Sequence, residues 1–180
     1  MATADRKQRA SSSRRASWII ASLAFIFIST SHTPLRAQLP KAELSVSGDV
    51  SKPLVLSVAD IAAFGVQTVN VTDDQGNQVS YSGVPVAAIL AKAGAPLGKD
   101  LRGPNMTLGV IARASDGYQV LFPLTEFDPA LSNRTVMLVD RRDGKPLDRR
   151  EGPLRLVVPG DKRHARWVRG ITSLNVVKVH

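Results

Sequence analysis

Gly152-Pro153-Leu154-Arg155-Leu156-Val157-Val158-Pro159-Gly160-Asp161-Lys162-Arg163-His164-Ala165-Arg166-Trp167-Val168 is the stretch on which the reading of this chain turns. Leu154 to Val158 is an apolar run of strand length, and it stops at a Pro-Gly turn. A basic cluster follows directly, then Trp167. The layout presents cations from the end of a buried strand, with an indole placed to pack beneath them.

Outward from this block, the chain reads as many short strands. Upstream, Val136 to Val139 is a second apolar run, separated from the first by Arg141-Arg142-Asp143-Gly144-Lys145-Pro146, which reads as a charged turn. Ser115-Asp116-Gly117 between Met106–Ala114 and Tyr118–Phe122 is a strong hairpin signal, and Leu124 to Phe127 fits one helical turn. Downstream, Ile171 to Val179 closes the pattern as a strand. Toward the N-terminus, Ala42 to Val50 alternates as a strand, Leu54 to Leu56 is extended, and Ser57-Val58-Ala59-Asp60 is a capping box opening a short helix that ends before Gly65. Val66 to Val71 and Gln78 to Tyr81 form an antiparallel pair around the turn Asp73-Asp74-Gln75-Gly76-Asn77. A helix starting at Ser82 or Gly83, with Pro85 in its first turn, runs to Ala93 and ends on Gly94. Residues 95–105 read as a loop. The whole is an α+β domain, β-rich, with mixed sheets and a few short helices.

The chain has 180 residues and a formal charge of +9, but the charge is unevenly placed. Residues 1–37 contribute +5 and the remaining chain only +4, which does not argue for nucleic acid. Between 134 and 169, eleven cations face five acids, so positive charge concentrates in the C-terminal quarter. The absence of cysteine excludes disulfides, thiolate metal sites and thiol catalysis. No His pair has metal-ligand spacing, and no phosphate loop or nucleophile elbow is present. No residue is assigned a catalytic role.

Residues 1–37 read as a signal peptide: a basic start, an apolar run from Trp18 to Ile28, and cleavage after Leu35-Arg36-Ala37. Ser13-Arg14-Arg15 leaves the twin-arginine route and the ordinary route both open, with an uncleaved leader as the one way to touch a membrane. Residues 38–180 then form one exported domain, expected in the periplasm.

The order of motifs resembles the molybdopterin-binding domain of sulfite-oxidase-type oxidoreductases. Tyr81-Ser82-Gly83-Val84-Pro85-Val86 through Leu90 is similar to that family's "GVPL" helix, and Ser115-Asp116-Gly117-Tyr118 to its hairpin. Gly144-Lys145-Pro146-Leu147 followed by Gly152-Pro153-Leu154-Arg155 to Pro159-Gly160 is similar to its "G-x-P-L…G-x-P-L-R-x-x-x-P-G" block. The likeness spans roughly residues 44–178, nearly all the chain after the leader. It implies a molybdopterin cofactor, with Arg155, Lys162, Arg163, His164 and Arg166 converging on a pterin phosphate or oxyanion. A solvated basic rim is the alternative reading of the same cations.

Two departures bear on chemistry. Relatives of this type hold molybdenum through a cysteine in a "C-x-G-N" turn, and here that turn is Asp74-Gln75-Gly76-Asn77. The carboxylate of Asp74 is a hard oxygen ligand and does not reproduce a soft thiolate, so Asp74 and Asn77 mark the cofactor turn while molybdenum ligation is not expected. The basic loop is also short, with six residues between Gly160 and Trp167. The sequence therefore supports two functions: a molybdopterin-dependent oxidoreductase, or a non-catalytic anion-binding or partner-binding module on the same fold. Its partners would be a small anionic ligand or pterin, with no redox partner identifiable.

Overall fold

The computed structural model describes residues 43–179, and the predicted leader and its cleavage point lie outside them. Two five-stranded sheets pack around one apolar core. In chain order the strands of the first are β1 (Glu43–Gly48), β2 (Leu54–Ser57), β5 (Leu108–Ala114), β6 (Gln119–Pro123) and β10 (Ile171–Lys178), arranged β2-β1-β10-β5-β6. Those of the second are β3 (Gln67–Thr72), β4 (Gln78–Pro85), β7 (Met137–Arg142), β8 (Lys145–Pro146) and β9 (Arg155–Val157). Strands β8 and β9 share the free side of β7, one at each end. The helices are α1 (Val58–Ala62) and α2 (Val86–Ala93), joined by short 3-10 turns elsewhere. The α+β, β-rich class read from the sequence is the observed one.

Local chemistry accounts for the element boundaries. Ser57 accepts the Asp60 amide at 3.2 Å while its own amide donates to the Asp60 carboxylate at 2.9 Å, so both halves of the capping box form. Gly94 ends α2 with φ of 73°, a conformation that glycine adopts without a Cβ penalty. Alternation along β10 buries Leu174 and Val176, and a register shift between Ile171 and Ser173 allows Ile171 to be buried as well; β9 is buried on both faces, enclosing the charged Arg155 together with Leu156 and Val157.

Two boundaries differ from the sequence reading. The chain does not turn helical at Ser82 or Gly83: β4 continues to Pro85, which is extended (φ −62°, ψ 129°), and α2 begins at Val86. The reason is tertiary. Gly83 sits between two backbones, pairing with Gln67 on one side and Val139 on the other, and these ladders outweigh local helix propensity. Similarly, Arg141 and Arg142 are not in a turn but extend β7 opposite Tyr81 and Ser82. The reversal is confined to Asp143 and Gly144, and it is clamped because the Asp143 carboxylate accepts the Ser80 amide at 2.9 Å.

The β4–β7 contact admits no side chain at position 83: a Cβ there would run into the carbonyl oxygen of Leu138. Gly83→Ala must part the two strands, and we expect a loss of about 3 kcal/mol, the upper end of overpacking costs. Urea denaturation checks this; a change under about 0.5 kcal/mol would show that the strands yield freely.

Candidate functional site

The pairing of β7 with β4 on one side and β9 on the other brings Tyr81, Arg142 and Arg155 together in the second sheet. The β3–β4 turn and the loop after β9 close over them. Asp73 shapes that turn: its carboxylate accepts the amides of Gln75 and Asn77, each at 2.9 Å, and the Asn77 side chain at 3.4 Å. It also takes the Arg142 guanidinium at 2.8 Å. Led by the Asn77 amide, these bonds hold the Asp73 carboxyl below the usual carboxylate range. Asn77 thus helps to fix the shape of the turn.

Arg155 is the centre of the site. It lies in core strand β9 and is only 3% exposed. Its Nη1 donates to the Tyr81 hydroxyl at 2.9 Å and to the Glu151 carboxylate. The guanidinium lies 5.5 Å from the Tyr81 ring centroid and 5.4 Å from that of Trp167, within cation–π range of both. Glu151 also takes Arg142 at 3.4 Å, so one carboxylate joins two guanidinium groups. Burial pushes the Tyr81 phenol up, against the pull of Arg155. The Arg155 Nε is buried without a hydrogen-bond partner among the described residues.

Asp74 and His164 meet across the mouth. Nδ1 of His164 is 2.7 Å from Asp74 Oδ1, and the imidazole stacks on Trp167 with centroids 3.6 Å apart and planes at 17°. Trp167 is fixed in turn by its Nε1–H bond to the Val158 carbonyl at 3.1 Å and by an edge contact with Tyr81. These groups, with Gln75 and Arg169, line a polar cleft of about 70 Å³.

The five cations predicted to converge do not all do so. Arg155 and His164 line the cleft, but Arg166 is turned away. It makes paired bonds to Asp161 at 2.7 and 2.9 Å and to Glu126 at 2.8 and 3.1 Å, with its guanidinium 5.1 Å over the Phe122 ring. Asp161, and then Glu126, raise the Arg166 pKa far beyond its ordinary value. Lys162 and Arg163 are exposed and do not line the cleft. For His164 and Arg166 the physical reason is that a 3-10 turn at His164–Arg166 sends side chains two positions apart in different directions. Sequence reasoning missed Tyr81, Asp73, Arg142, Glu151 and Arg169 as site residues. The one local signal was the Glu151–Arg155 spacing of four, which here does form an ion pair.

The cluster is a closed charge system whose removal is not neutral. Glu151→Ala leaves the buried Arg155 and the half-buried Arg142 without their shared carboxylate. We expect about 3 kcal/mol of destabilisation, the low end for breaking a buried pair, since Glu151 retains some exposure. Asp140→Ala, which removes only the 3.9 Å pair with exposed Arg141, should cost under about 0.5 kcal/mol. Equal effects of the two, measured by denaturant titration, would overturn this ranking.

The comparisons agree with this architecture. Sulfane dehydrogenase SoxCD from Paracoccus pantotrophus has a similar fold, with a TM-score of 0.58 and 24% identity over 74% of this chain. The chain spans 37% of that protein's length, and at this identity the likeness speaks for the fold. No curated protein matches the chain. Residues 31–179 match the family model of the oxidoreductase molybdopterin binding domain. With the two-sheet scaffold, the β3–β4 turn and the β9 arginine in place, the chain belongs to the oxidoreductase molybdopterin binding domain family.

Proposed function

We propose that this chain is a member of its family that works as an exported binding module rather than as a molybdenum oxidoreductase. The observation that carries the reading is the state of the position corresponding, by resemblance, to the metal-ligating cysteine. It is Asp74, and its carboxylate is engaged by His164 at 2.7 Å. The donor set does not fit a thiolate-held metal, because the chain contains no cysteine. Among the described residues no group of three His, Cys, Asp or Glu side chains is placed to hold a metal ion.

Charge and space point the same way. The cleft is lined by Arg142, Arg155 and Arg169, and equally by Asp73, Asp74 and Glu151. An incoming phosphate would meet three carboxylates, two of which, Asp73 and Glu151, already pair with Arg142 and Arg155. A cavity of about 150 Å³ holds a benzene ring, whereas this half-open cleft measures about 70 Å³, so a pterin would extend beyond it. A small oxyanion is the second reading, favoured by one feature: the unpartnered, buried Arg155 Nε.

Metal content tests the reading. Protein purified from its native compartment should contain molybdenum well below stoichiometry and oxidise sulfite negligibly. Near-stoichiometric molybdenum, or a metal spectrum that changes in Asp74→Asn, would overturn it.

Export belongs to the same proposal and rests on the basic start, apolar run and small-residue junction of residues 1–37. The periplasmic form should begin at Gln38 on N-terminal sequencing, and an intact Met1 in a soluble cytoplasmic fraction would refute it. Replacing Arg14 and Arg15 with lysine should block export only if the twin-arginine route is used.

A further inference from the structure

The loop of residues 161–170 carries cations that the site does not use. Lys162 and Arg163 are exposed, and neither forms an ion pair among the described residues. The neighbouring acids are committed elsewhere. Asp161 serves Arg134 and Arg166, Asp74 serves His164, and Glu151 serves Arg142 and Arg155. Asp116, at the tip of the β5–β6 hairpin, has its carboxylate turned to the Tyr118 amide at 2.9 Å.

Beside this loop runs strand β6. The Tyr118 hydroxyl, just before β6, donates to the Ala165 carbonyl at 2.7 Å. At the other end, Arg166 lies over Phe122 and bonds Glu126, in the turn that follows the strand. The strand is the last of its sheet and pairs with β5 alone. Its sequence, Gln119-Val120-Leu121-Phe122-Pro123, contains no charge. Strand edges exposed to water are ordinarily guarded by lysines, prolines or bulges; β6 has only Pro123 at its end. Tyr118 and Leu121 are 48% and 49% exposed along it.

We propose that β6 is a docking edge, on which a partner protein adds an extended, acidic segment whose carboxylates meet Lys162 and Arg163. The inference deepens the binding-module reading and rests on it, naming the class of partner. Main-chain bonds to an open edge supply affinity without demanding a particular sequence. Guanidinium forks pair with carboxylates bidentately, and the flanking charges fix direction and speed encounter. Tyr118 offers a rigid, amphipathic contact of the kind enriched at interfaces. Nucleic acid fits less well: the charge after residue 37 is only +4, and Tyr118 stands without a second exposed ring on the strand.

The probe is a fluorescent short peptide alternating Glu and Val, followed by anisotropy against the folded protein. Saturable binding is expected. The double variant Lys162→Glu, Arg163→Glu should weaken it about tenfold or more. So should N-methylation of alternate peptide amides, which removes strand pairing and leaves charge intact. Lys92→Glu with Lys99→Glu, the same charge change on other elements, should alter affinity by less than about twofold. Absence of saturable binding overturns the proposal. Equal losses from both reversals, or an undiminished N-methylated peptide, also overturn it by revealing diffuse attraction. An oligothymidylate that displaces the peptide and is itself lost in the Lys162, Arg163 variant makes nucleic acid the occupant, and overturns it too. The readout contains no metal. Stoichiometric molybdenum would sink the module reading whatever the peptide does, while peptide failure in molybdenum-poor protein sinks the docking edge alone.

Discussion

A guanidinium held in the core, that of Arg155, is the constraint around which the site is organised. A charge removed from water is tolerated only when paired and hydrogen-bonded, and here the requirement recruits groups from distant parts of the chain. Glu151 supplies the countercharge, Tyr81 an acceptor, and the faces of Tyr81 and Trp167 the remaining contacts. Arg142 is bound to the same carboxylate, and through Arg142 the turn at Asp73 is tied to the arrangement. The position of the β3–β4 turn is thus set by a residue of β9, and Asp74 stands where His164 can reach it.

The basic loop consequently divides its cations among three tasks. Arg155 is structural and enclosed. Arg166 staples the loop to Glu126 and Asp161 beside β6. Lys162, Arg163 and Arg169 face water. One cluster of like charge in the sequence therefore has no common environment, and its local net charge of +6 over residues 134–169 overstates the field inside the cleft. Guanidinium groups already satisfied by carboxylates attract an external anion far less than bare ones.

What was legible in the sequence was local or ordered along the chain. The Ser57 capping box and the Gly94 terminus declare themselves within four residues, and the hairpin at Ser115–Gly117 depends on adjacent strands. The family likeness was legible because its motifs recur in order. The pairing of charges was not. Asp73 meets Arg142 across 69 positions, and Asp74 meets His164 across a comparable interval, through a strand register that one-dimensional reading does not provide. The helix predicted from Ser82 failed for a related reason, because Gly83 has neighbours on both sides that only the assembled sheet supplies.

The placement of β10 has a temporal consequence. It lies between β1 and β5, parallel to the first and antiparallel to the second, with Ser45 opposite Ser173. The earliest strand of the described domain thus waits for a partner synthesised last, and the first sheet remains two separate hairpins until residues 171–178 arrive. Loop-closure entropy of that span is spent before any contact of β10 rewards it, so closure of this sheet belongs among slow, non-local folding events. A nascent chain interrupted before Ile171 would expose β1 and β5 as two open edges, a form that chaperones can hold and that the finished domain conceals.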